Sequence, residues 1–104
     1  MTENRLLAVS THTEDGRTLC VVEDSDSGQK WAEAREPRTD EFPVGLPGLT
    51  PVRHYKGGIY QTCCHVPLDG EWLVVYIGDG RYWARPRKMF EERLPDGRYR
   101  FNEI

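Results

Sequence analysis

Seven side chains in the second half of the chain have the types and spacing to hold a flat anion: His54, Lys56, His65, Glu71, Trp83, Arg85 and Arg87. Trp83 and Arg85 are two residues apart in a strand-like run, so they share one face. An indole there can stack a planar ring while the neighbouring guanidinium meets its negative charge. His65 and Glu71 flank the Pro67–Gly70 turn and are expected to nearly face each other. They would form an imidazole–carboxylate pair or an ordinary cross-strand contact. His54 and Lys56 open a loop, where plain solvation is the simpler reading. Val74, Tyr76, Met89 and Phe90 read as core, and Gly57, Gly58 and Pro86 as setters of backbone geometry. The run Arg81–Lys88 (RYWARPRK) also interleaves cations with aromatics, the surface on which small barrels stack single-stranded bases. At eight residues that signal is weak.

Other chemistries find less support. His65 as general acid or base, aided by Glu71 with Arg85 stabilising developing charge, is the enzymatic alternative. No nucleophile elbow or phosphate loop accompanies it. The cysteines are Cys20, Cys63 and Cys64, an odd count with an adjacent pair, which is not a secreted disulfide framework. In a strand Cys63 and Cys64 point to opposite faces, so Cys63 shares a face with His65. A metal set drawn from Cys63, His65, His12 and Cys20 lacks paired-knuckle spacing, and reduced core cysteine is the favoured reading.

These side chains must be positioned by strands. Leu6–Thr13 and Arg17–Glu23 flank a Glu-Asp-Gly turn, and Lys30–Ala34 resumes after a polar stretch. Glu36–Pro51 carries four Pro and two Gly, so it reads as an ordered connector, with Phe42, Val44, Leu46 and Leu49 packing across the core. Ile59–Val66, Glu71–Ile77 and Arg81–Arg85 follow, separated by Asp-Gly turns. Arg87–Glu92 suits one helical turn, and Arg98–Ile104 is the last extended run. Asp-Gly, Leu and Val recur at an offset of about 54, and Trp31-Ala32 matches Trp83-Ala84. Half-repeats over 5–35 and 58–92, joined by connector 36–51, would each be too small to bury a core alone. The expected fold is therefore mainly β, an SH3-like barrel or two packed meanders from an internal duplication, in one domain of 104 residues. Charge is unevenly dealt: residues 1–52 hold 5 basic against 10 acidic residues, and residues 53–104 hold 9 against 7. A basic-leaning second half can face an anion, while a pI near 5.6 argues against non-specific duplex DNA binding.

His54-Tyr55-Lys56-Gly57-Gly58-Ile59-Tyr60, His65, Leu73-Val74-Val75-Tyr76, Trp83-Ala84-Arg85-Pro86 and Met89-Phe90 stand in an order that resembles the small domain family DUF1653. The resemblance spans about residues 52–93, and the stretch between Tyr76 and Trp83 is shorter than the family pattern. It implies a compact β domain and no activity. The expectation is a non-catalytic module for an anionic planar ligand such as a nucleotide, with no cofactor. Protein interaction through an edge strand and single-stranded nucleic-acid binding are the alternatives. A homodimer is compatible, no membrane association is expected, and a start without a signal-peptide pattern places the chain in the cytoplasm.

Overall fold

A computed structural model describes residues 4–104. The chain forms two three-stranded antiparallel meanders. The first contains β1 (Asn4–His12), β2 (Thr18–Asp24) and β3 (Lys30–Ala34). After the connector and β4 (Thr50–His54), the second contains β5 (Ile59–Leu68), β6 (Glu71–Gly78) and β7 (Arg81–Pro86). A short helix α1 (Arg87–Phe90) and β8 (Phe101–Glu103) complete it. The tight hairpins of the second meander follow from their Asp-Gly pairs. Asp69 and Gly70 have φ of 51° and 78°, and Asp79 and Gly80 have 54° and 73°. Two left-handed residues in succession match the twist of the flanking strands.

The sheet order is β3-β2-β1-β7-β6-β5-β4-β8. Its two meanders join through a short parallel pairing of Ser10–His12 with Tyr82–Ala84. The sheet coils so that β3 comes to lie against β5. Six strands thus close a barrel-like ring, which β4 and β8 extend to one side. The fold is mainly β, as expected. Leu19, Val21 and Ala32 from the first meander meet Val66, Leu73 and Val75 from the second in one buried cluster.

The connector differs from expectation. Leu46 alone of its four large apolar residues is buried, while Phe42, Val44 and Leu49 are 79%, 64% and 69% exposed. The reason lies in its hydrogen bonds. Val44 and Gly45 donate N–H to Leu6 and Leu7 carbonyls at 3.0 and 2.7 Å, along the edge of β1 that β7 does not reach. Leu46 is pinned inside by Tyr82, whose hydroxyl both accepts from its N–H and donates to its carbonyl, each at 2.8 Å.

Bulges alter the cysteine reading as well. A register shift between Thr62 and Cys64 inserts one residue into β5. Cys63 and Cys64 therefore both lean on the barrel core, while His65, opposite Val74, lies exposed on the outer face. Cys63 and His65 do not share a face. Cys20 belongs to a separate cluster with Leu6 and Val22, and buried His12 accepts the Glu14 N–H at Nδ1, 3.1 Å away. The four residues weighed as metal ligands do not gather.

Candidate functional site: adjoining clefts beside Trp72

Alternation along β6 decides what is accessible. Leu73 and Val75 point into the barrel, whereas Trp72, Val74 and Tyr76 point outward. The C-terminal segment from α1 to β8 folds back over that outward face. Phe90 and Phe101 stack at 4.2 Å between centroids, and Tyr76 lies 6.0 and 6.2 Å from their rings. Under this arm Val74 and Tyr76 are buried. Trp72, at the hairpin end, lies beyond its reach and is 51% exposed.

Three adjoining clefts open here, two of them lined by Trp72. One, of about 530 Å³, follows the seam between β3 and β5 and is lined by Trp31, Cys64, His65 and Pro67 besides Trp72. No hydrogen-bonded ladder crosses this seam, so the N–H that Pro67 lacks is not missed. A second cleft, of about 600 Å³, lies on the other side of Trp72 with Glu71, Arg87, Lys88 and Glu91. The third, of about 490 Å³, runs along the arm past His65, Phe90, Glu91 and Tyr99. Trp72, His65 and Glu91 are shared walls, so the clefts adjoin.

The charges in this depression are partly compensated. Lys30 pairs with Glu23 at 3.1 Å, and Arg87 Nε with Glu91 Oε1 at 3.1 Å. Among the described residues Lys88 and Glu71 have no ion-pair partner. Burial pushes the Cys63 thiol up to about 11, and Cys64 is raised by burial against the opposing pull of Lys30. Both stay protonated at neutral pH.

The seven residues singled out from sequence separate into two groups. His65, Glu71 and Arg87 border the clefts at Trp72. His54, Lys56, Trp83 and Arg85 lie under or beside the arm. Trp83 and Arg85 do share an outward face, but each is covered. Trp83 donates its indole N–H to the Gly78 carbonyl at 2.9 Å, and the Arg81 guanidinium lies 5.9 Å from its ring. The Arg85 guanidinium sits 5.6 Å from the Phe101 ring, its Nε buried without an acceptor among the described residues. His54 packs edge-on against Phe101 at 4.9 Å, and Lys56 stands 5.6 Å from the Tyr55 ring. Burial, then the cations Arg100, Arg85 and Lys56, hold the His54 imidazole below its usual range.

His65 and Glu71 do not face each other. The two-residue turn Asp69-Gly70 leaves Pro67 and Leu68 in β5, so Glu71 pairs with Leu68 and His65 with Val74. Glu71 thus projects from the face opposite to His65, and the acid–base pair the enzymatic alternative needs is not formed. Trp72, Trp31 and Lys88 were missed. Strand alternation marks Trp72 as outward, but only the path of the arm shows which outward residues stay open.

The two halves treat their cations differently. Arg5, Arg17, Lys30 and Arg35 each meet a carboxylate. In the second half Arg87, Arg98 and Arg100 also meet carboxylates, but Arg81, Arg85 and Arg93 stand over the rings of Trp83, Phe101 and Tyr99, and Lys56 and Arg100 over Tyr55. A ring leaves the cation's charge largely uncancelled.

A family model described as a protein of unknown function, DUF1653, matches residues 50–103, just over half of the chain. The chain belongs to the DUF1653 family. The DUF1653 segment runs from the start of β4 to the end of β8 and holds all five cation–ring contacts found among the described residues. It also supplies His65, Trp72, Arg87 and Lys88, whereas Lys30 and Trp31 come from the meander outside it. No curated protein matches the chain, and no solved structure does.

Proposed function

We propose that this chain is a non-catalytic β module that binds an anionic ligand with a flat ring, such as a nucleotide. The observation that carries this reading is Trp72, half exposed and standing between two clefts. A ring stacks on the indole on the seam side, beside His65. Its anionic group reaches Lys88 and Arg87 on the far side. Arg85 and His54 act indirectly, by packing on Phe101 of the arm that walls the third cleft, while Trp83 and Lys56 stand apart from the ligand. The three free cysteines, two of them in one bulge, fit a reducing compartment, and we place the module in the cytoplasm.

Titration with AMP and UMP, followed by tryptophan fluorescence and amide shifts, tests the reading. Stacking on one aromatic ring is worth about 1–3 kcal/mol, so Trp72→Ala should weaken binding by about ten-fold or more. Lys88→Ala should weaken it a few-fold, and Trp83→Phe should leave it unchanged. If neither nucleotide moves any signal of the clefts at millimolar concentration, the reading is wrong.

A further inference from the structure

We infer that the ligand is a single-stranded nucleic acid, threaded through the adjoining clefts, and not a lone mononucleotide; this rests on the ligand reading above. Each of the three clefts is already of the size that holds a small molecule, about 300–1,000 Å³. They adjoin at Trp72, His65 and Glu91, so together they offer more room than a mononucleotide fills.

Along the clefts an aromatic ring and a cation recur together. Lys30 and Trp31 line the seam cleft. Trp72 shares the next cleft with Arg87 and Lys88. Tyr99 lines the arm cleft, and Arg93, outside that lining, stands 4.6 Å from its ring centre and donates to its hydroxyl at 2.7 Å. A ligand that repeats a planar ring and a negative charge at each unit answers this arrangement, and a single-stranded nucleic acid is such a polymer. A duplex hides its ring faces and suits it less. Glu71, Glu91 and Glu103 also border the clefts. They limit affinity, and with Arg87 paired to Glu91 and Lys30 to Glu23, Lys88 is the cation of the clefts with no ion-pair partner among the described residues.

The test compares a fluorescein-labelled U12 RNA with UMP on the full chain at 50 mM salt. U12 should bind at least ten-fold more tightly than UMP. Trp72→Ala, Lys88→Ala and Arg93→Ala should each weaken U12, and Glu71→Gln should tighten it. Log affinity should fall with log salt with a slope of about −1.4 or steeper, corresponding to two or more phosphates at about 0.7 each. UMP binding as tightly as U12, with both sensitive to Trp72→Ala, overturns the polymer inference and leaves the ligand reading standing. Failure of both probes overturns both. U12 binding that ignores Trp72, Lys88 and Arg93 places the nucleic acid elsewhere and also overturns the inference.

Discussion

Gly78 shows how one missing methyl shapes the outer face. A Cβ there would lie 2.3 Å from Cδ1 of Tyr60, whose ring covers that backbone and meets Tyr76 at 5.5 Å. Gly78→Ala must displace the ring, and a loss of about 1–3 kcal/mol is expected in urea unfolding. Glu41 gives a pH signature. Its hydrogen bonds from the Arg35 side chain and the Arg38 N–H hold its carboxyl at about 2, against an ordinary 4.5. The unfolded chain takes up that proton first, so the stabilisation is present above pH 4.5 and lost as pH falls toward 2. Melting temperature measured across that window should decline less in Glu41→Gln. The lowered pKa of His54 works in the same direction at higher pH. Protonation below its usual 6.5 opposes folding, and amide exchange in the arm should quicken there unless His54 is replaced by Gln. At this scale the sequence was readable in kind more than in place. Trp83 and Arg85 do point outward together, as alternation requires. The cover of Arg85 is formed by Phe101, sixteen residues further on, and no local pattern reports such a contact.

The arm is the element on which the candidate site depends. It is attached by three β8 residues paired with β4 and by the Tyr55 N–H donating to the Arg100 carbonyl at 2.8 Å. It is braced internally by a bridge between Arg93 and Tyr99 and an ion pair from Arg100 to Glu92 at 3.1 Å. Its hold on the sheet is mainly Phe101, which is 8% exposed. Phe101→Ala should cost about 3 kcal/mol in denaturant unfolding and loosen the arm cleft. If stability is unchanged, the arm is not packed as described. Strands and hairpins were legible because Asp-Gly pairs admit the left-handed backbone of tight turns. The bulge at Cys63 was not, because nothing in Thr62-Cys63-Cys64-His65 distinguishes a regular strand from one with an extra residue. One inserted residue reversed the faces of everything after it. That is why Cys63 and His65 do not share a face, whereas the pairing expected for His65 with Glu71 fails because the two-residue turn sets Glu71 opposite Leu68.

At the scale of the whole molecule, the ring is closed by hydrogen bonds on one side and by side chains on the other. The β1–β7 ladder joins the meanders, while at the β3–β5 seam only packing does. Amide exchange should therefore be slowest in β1, β2 and β6, and faster along the outer edges of β3 and β8. The mainly β class and the two-meander plan were legible from turn spacing and the scarcity of helical periodicity. Closure was not, since it depends on a parallel pairing between residues some seventy positions apart. The boundary of the family match gives that pairing a further meaning. Residues 50–103 include β7 but not β1, so in that segment taken alone Tyr82–Ala84 would present an open strand edge. Such an edge recruits another strand, from a second copy or from a neighbouring segment. In this chain the first meander covers that edge through the pairing of Ser10–His12 with Tyr82–Ala84, so it offers no free strand edge there.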